Sequence, residues 1–251
     1  MKILNDLNQE QLKAVEYNAG PHMIVAGAGS GKTRVLTYKI AYLIEKGLEP
    51  ESILALTFTN KAAKEMKERI RSLVGKKAGS LWMGTFHSIF ARILRVEAKA
   101  INYQPNFSIY DREDSVSLVS NVMQNLNINL ENLTPNSVQH KISYLKNQMI
   151  KPENFGKNMA TTLADKKFLE IYIEYNKRLF ENNAMDFDDL LLKPIDLFND
   201  NQKILAKYKK QFKYILVDEY QDTNKAQYEL LKLLSPTKDK ICVVGDDAQS
   251  I

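Results

Sequence analysis

Two short stretches of this sequence place glycines, a lysine and a pair of carboxylates where they could do chemistry. In "IVAGAGSGKT" an apolar run from His22 to Ala26 gives way to Gly27, Ala28, Gly29, Ser30 and Gly31, followed by Lys32, Thr33 and Arg34. Glycines let successive backbone N–H groups turn towards phosphate oxygens, and a helix starting there adds positive potential. Lys32 would reach the β- and γ-phosphates of a nucleotide, and the Thr33 hydroxyl would hold Mg2+. The strict spacing wants glycine where Ala26 stands, and alanine keeps the turn if its φ is negative. The plainer alternative is a glycine-rich turn with a chance Lys-Thr; a strand before it and a helix after it favour phosphate. In "YILVDEYQDTN" four apolar residues present Asp218 and Glu219 at the carboxyl end of a buried strand, where open parallel sheets bind ligands. Asp218 would bind Mg2+ through water, and Glu219 would orient and deprotonate an attacking water. Exposed acids at a strand end are common, but a phosphate loop in the same chain strengthens the metal reading.

A third constellation is "LNQEQLKAV". Asn8 can cap a helix, with Gln11 three residues later completing a capping box. That is the simpler role for Gln11; the alternative is bidentate recognition of adenine N6 and N7 by its amide.

These residues need elements to hold them. Five apolar runs read as strands: His22 to Ala26, Ile53 to Phe58, Leu81 to Gly84, Tyr214 to Val217 and Ile241 to Val244. Most are continuously apolar, which suits parallel strands buried on both faces. The helical stretch "TRVLTYKIAYLIEKG" ends at Gly47, and a second helix from Asn60 to Val74 ends at Gly75, glycine being the usual helix stop. Strand, helix, strand, helix implies a parallel sheet with right-handed crossovers. From about Arg92 to Gln211 the pattern changes. That stretch holds no strand-like run and several capped helices, among them "TPNSVQHKISYLKNQ" with Thr134 as N-cap and Pro135 first. Pro194, inside "DLLLKPIDLF", is expected to end or kink a helix. The fold class is therefore α/β, with residues 1–91 and 212–251 forming the sheet domain and 92–211 an inserted all-helical one.

Composition fits an ordinary soluble globular chain, 44% hydrophobic and 26% charged over 251 residues. No apolar run approaches the ~20 residues of a membrane span, and "MKILNDLNQE" lacks the apolar stretch of a secretory signal. Cys242 is the single cysteine, which excludes a disulfide framework and points to a reducing cytoplasm. The net charge of +5 is matched by one stretch, Lys61 to Lys77, with seven basic and two acidic residues. Taken alone, that is a solvated helix face with Glu/Lys pairs.

The segments "LNQEQLKAV", "VAGAGSGKTRVL", "LALTFTNKAAKEM", "GTFHS", "FDDLL", "VDEYQDTN" and "VVGDDAQSI" occur in this order, and the order resembles UvrD/Rep/PcrA-type superfamily 1 DNA helicases across nearly the whole chain. The resemblance implies a P-loop, RecA-like ATP-binding domain with ATP and Mg2+ as cofactors, a helical insertion flanking DNA or a duplex junction, and 3'-5' translocation on single-stranded DNA. DNA repair is a setting that comes with it. It implies that Gln11 reads adenine and that Arg34 lies near the nucleotide. Thr57, Phe58, Asn60, Thr85 and His87 resemble single-strand contacts, an aromatic for stacking and polar groups for phosphate. His87 alone would read as a buried structural histidine. The basic helix after Asn60 then becomes a backbone-binding surface. Gln249 resembles the glutamine that senses the γ-phosphate, with Ala248 where an Asp is often found before it.

The same resemblance implies a partner: a second RecA-like half of the same protein, carrying arginines that typically contribute ~10³–10⁵ in hydrolysis rate. The chain is thus expected to be an N-terminal portion that binds Mg-ATP and hydrolyses it poorly. The alternatives are a subunit of a helicase–nuclease complex and a non-catalytic single-strand-binding module.

Overall fold

Continuous apolar runs need cover on both faces, and the structure, a computed structural model that describes residues 4–27, 29–129, 133–235 and 240–246, supplies it with helices. Its strands are β1 (His22–Val25), β2 (Ile53–Thr57), β3 (Trp82–Thr85), β4 (Ser108–Tyr110), β5 (Ala184–Asp186), β6 (Tyr214–Val217) and β7 (Ile241–Gly245). Its α-helices are α1 (Gln9–Glu16), α2 (Lys32–Glu45), α3 (Asn60–Val74), α4 (Phe86–Val96), α5 (Arg112–Asn125), α6 (Pro135–Asn147), α7 (Pro152–Asn158), α8 (Leu163–Glu181), α9 (Asp189–Asp200), α10 (Gln202–Gln211) and α11 (Lys225–Leu234). The chain divides into two units, one of Met1–Ile89, Asn201–Thr223 and Leu231–Ile251, the other of Phe90–Asp200 and Asn224–Leu230.

In the first unit five strands form one parallel sheet in the order β1-β7-β6-β2-β3. β2 is buried at every position, as its uninterrupted "ILALT" requires. Leu36, Ile40 and Leu43 of α2, with Met66 and Ile70 of α3, pack on Ile53, Ala55, Leu216 and Val244. Each such side chain contributes ~1.5–3 kcal/mol when fully buried. Both helices stop where glycine permits a left-handed turn: Gly47 has φ 92° and Gly75 has φ 66°. α10 belongs to this unit, and Tyr208 and Phe212 meet the Trp82 ring edge-on at 6.5 and 5.4 Å.

The second unit is mostly helical. Val119, Val122, Ile142, Leu145, Phe168 and Tyr175 lie in a single core, and α5, α6 and α8 each begin with a complete capping box, at Asp111, Thr134 and Thr162. One detail corrects the all-helical expectation: β4 and β5 pair in parallel, Tyr110 opposite Asp186. Three residues each are too few to show a period, and "AMD" has little intrinsic strand preference. Pro194 lies inside α9 without ending it. A proline there deletes the single bond its N–H would have made to the Leu190 carbonyl. No helix among the described residues is long and apolar enough to cross a membrane.

Candidate nucleotide and nucleic-acid site

Because the five strands are parallel, their carboxyl ends share one edge of the sheet. There, β1, β7 and β6 present the loop before Lys32, Asp246, and Asp218 with Glu219; β2 and β3 present Thr57, Phe58 and Thr85. The strand order thus sorts the expected nucleotide residues to one side and the expected single-strand residues to the other.

The loop after β1 depends on its glycines. Gly29 (φ 76°) and Gly31 (φ 88°) occupy the left-handed region, and Gly31 is the N-cap of α2. A Cβ on Gly31 would sit 3.0 Å from Gln11 Nε2. Ser30 Oγ donates to the Gly27 carbonyl at 2.6 Å. Lys32 and Thr33 open α2, so its free N–H groups face the loop. Gln11 takes the capping role and also touches the glycine loop. It completes the capping box with Asn8, and its Nε2 donates to the Ser30 carbonyl at 3.1 Å. Beside it a 570 Å³ cleft is lined by Gln11, Tyr17, Met23, Val25, Ser30 and Lys32. Met23 and Val25 are about half exposed, giving an apolar wall on which a flat base can lie. Arg34 donates to the Asp6 carbonyl at 2.7 Å and lies over the Tyr38 ring.

At the end of β6, Asp218 is buried and accepts from the Thr33 hydroxyl at 3.4 Å and from the Glu219 N–H at 3.1 Å. Burial, then the neighbouring Glu219 charge, push the Asp218 carboxyl up to about 6. A buried carboxylate and a hydroxyl, both hard oxygen donors and short of positive charge, fit Mg2+. Glu219 sits in a left-handed conformation, φ 47°, a strained setting for a side chain of its kind.

Two residues were missed by the sequence reading. Lys32 Nζ pairs with Asp246 at 2.8 Å, and the Asp246 N–H donates to Gln221 Oε1 at 3.1 Å. Gln221 Nε2 in turn donates to Glu219 Oε2 at 2.8 Å. The signal available in the sequence was position: Asp246 follows β7 as Asp218 follows β6.

On the other half of the edge, Phe58 is partly buried and meets the Phe86 ring at 5.6 Å, while Asn60 is exposed. Thr57 and Thr85 are buried opposite one another in the β2–β3 register, and the Thr85 hydroxyl accepts from the Ser88 N–H. His87 is partly buried, and burial lowers its pKa. Ala28, Ala248 and Gln249 lie outside the described residues.

Residues 7–251 match the model of the UvrD/REP helicase N-terminal domain. The chain is 48% identical over 250 residues to the protein named ATP-dependent DNA helicase PcrA of Staphylococcus aureus, covering 99% of this chain. It is 46% identical over 251 residues to that of Bacillus subtilis, covering all of it. In both cases it spans 34% of the relative's length. The glycine loop, the carboxylates and the aromatic strand edge thus stand in a chain that belongs to the UvrD/REP helicase N-terminal domain family.

Proposed function

We propose that this chain is the Mg-ATP-binding and single-strand-gripping part of an ATP-driven 3'-5' DNA helicase. The observation that carries this reading is the convergence of Lys32, Thr33, Asp218 and Glu219 at one sheet edge, beside Phe58 and Asn60. Lys32 exchanges Asp246 for phosphate oxygens when a nucleotide enters, and the N–H groups at the start of α2 hold the same phosphates. Thr33 and Asp218 hold Mg2+, which when bound neutralises charge on the phosphates. Glu219 Oε2, held by Gln221, takes a proton from the attacking water as general base. The Asp246 N–H fixes the oxygen of the Gln221 amide, so its amino group stays on Glu219. Gln11 and the apolar wall of the cleft receive the adenine, and Arg34 stands close by. Phe58 stacks on a base while Asn60 and Thr59, which caps α3 by accepting from the Ala62 N–H, flank the backbone. Thr57 and Thr85 support that strand edge from inside. Gln249 would sense the γ-phosphate. The helical unit flanks the DNA junction, a second RecA-like half completes the nucleotide site, and the reducing cytoplasm, with DNA repair as one setting, is where this happens.

The test is binding of a slowly hydrolysed ATP analogue with Mg2+ to this chain, to Lys32→Ala and to Glu219→Gln. Affinity is expected to fall at least tenfold in the first variant and to change little in the second, whose residual turnover disappears. Equal binding by all three would mean that the loop is structural and the chain a non-catalytic module.

A further inference from the structure

We propose a second nucleic-acid contact on the opposite edge of the sheet: a cleft that takes the sugar-phosphate backbone of duplex DNA. α3 leaves the carboxyl end of β2 and runs back along the sheet for 15 residues, about 22 Å at 1.5 Å per residue. The chain then turns at Gly75 through a short 3-10 helix, Gly75–Ser80, into β3. The end of α3 therefore lies at the amino edge, far from Phe58 and Asn60. A cleft of 330 Å³ opens there, lined by Lys67, Arg71, Gly75, Lys76, Ala78 and Gly79. Lys67 and Arg71 are one turn apart on the helix face, and the left-handed Gly75 brings Lys76 round beside them. Among the described residues no carboxylate lines the cleft.

A solvated face of mixed charge would look different, and the second unit supplies the comparison. There Lys141, Lys151, Lys167, Lys177 and Arg178 all form ion pairs within 4 Å. Of the seven basic residues between Lys61 and Lys77, none pairs with a carboxylate among the described residues, although Glu65 and Glu68 lie on the same helix. Like charges one helical turn apart repel. The helix dipole favours cations at the end of α3, but it does not gather three of them round one carboxylate-free hollow. An anion does relieve that repulsion. Gly75 and Gly79 have nothing within 4 Å of where a Cβ would stand, so a ligand can approach the backbone closely. The cleft has no aromatic lining, unlike the Phe58 edge. It offers charge without a stacking platform, which suits a duplex whose bases are hidden and whose phosphates are exposed.

This reading deepens the proposed DNA role, and the test keeps the two apart. Binding of a labelled 20-base-pair duplex and of labelled dT20 is followed by anisotropy across a salt series for three proteins: this chain, its Lys67→Gln/Arg71→Gln/Lys76→Gln variant and Phe58→Ala, with thermal melts confirming the fold. The triple variant is expected to bind duplex at least about tenfold more weakly near 0.1 M salt, with the log–log salt slope reduced by about 2 to 3, while dT20 binding changes less than about threefold. Unchanged duplex affinity and slope overturn the cleft, and so does an equal loss for dT20, which would make it a general anion patch. If Phe58→Ala leaves dT20 binding intact, the single-strand reading fails and the cleft still stands or falls on the duplex.

Discussion

Lys32 and Lys146 are both lysines held by buried aspartates, and they do opposite things. Among the described residues Lys32 pairs with one carboxylate, Asp246, at the carboxyl edge of the sheet beside a glycine loop. Lys146 is enclosed in the helical unit between Asp186 at 2.7 Å and Asp189 at 2.9 Å. Asp186 also accepts from the Tyr175 hydroxyl and the Asp189 N–H. Burial alone would lower the Lys146 pKa, but the charges of Asp186 and Asp189 outweigh it and hold the pKa well above the ordinary value. Lys146, Asp186, Asp189 and Tyr175 thus satisfy one another. The Lys32 pair stands beside the glycine loop, where the proposed nucleotide would offer the ammonium phosphate oxygens in place of Asp246. A buried ion pair is thus a poor marker of function until its remaining partners are counted.

The largest expected effect tests that division. Lys146→Met leaves two carboxylates facing each other in the interior and should cost about 3–5 kcal/mol, read from urea unfolding followed by far-UV circular dichroism. Lys32→Met takes an ammonium from one buried carboxylate rather than from two and should cost less, while nucleotide binding disappears. Equal stability losses would erase the distinction between the two lysines.

Next is the same substitution on each side of the division, with opposite signs. The Asp218 carboxyl is raised from 3.8 to about 6, by burial first and the Glu219 charge second. Its folded form holds the proton more tightly than the unfolded chain, so the stabilisation is full below pH 3.8 and is lost as pH rises through about 6. Above that, the nucleotide-free protein carries an unfavourable buried charge. Asp218→Asn should therefore be more stable than the parent at pH 8, by about 1–3 kcal/mol, and the gain should shrink towards pH 5. Asp189→Asn removes a carboxylate partner at 2.9 Å from the buried Lys146 ammonium and should destabilise at pH 8. Thermal melts of both variants at the two pH values decide it; an Asp218→Asn protein that melts below the parent at pH 8 contradicts the account of a carboxylate kept short of cations for Mg2+.

Local features were legible in the sequence, and long-range ones were not. "IVAGAGSGKT" and "VDEYQDTN" carry their own strand, turn and helix signals, so the loop before Lys32 and the placement of Asp218 follow from a few neighbours. Gly47, Gly75 and Thr134 likewise mark helix ends through bonds spanning a turn or less. The β4–β5 pair joins residues 76 positions apart, and Lys146 meets Asp186 and Asp189 across 40 and 43; such pairings have no period to betray them. The Lys32–Asp246 pair spans 214 positions, and only the strand order β1-β7-β6 brings those residues together. Gln221 could be read as part of a motif, but its task depends on that same neighbour.

Gln11 stands across the division, since its amide completes a helix cap and also reaches the Ser30 carbonyl of the glycine loop. The two roles separate by substitution at either end of the capping box. Asn8→Ala removes the oxygen that accepts from the Gln11 N–H at 2.8 Å and should cost about 1 kcal/mol of stability. It leaves the Gln11 amide free to hold the Ser30 carbonyl, so preference for ATP over GTP should persist. Gln11→Ala removes the weaker bond of the box, 3.3 Å to the Asn8 N–H, and should cost less stability. It also removes the amide suited to adenine N6 and N7, so discrimination between ATP and GTP analogues should collapse. If Asn8→Ala lowers that discrimination as much as Gln11→Ala does, Gln11 serves the nucleotide only by building α1, and the open edge reads the base through other groups.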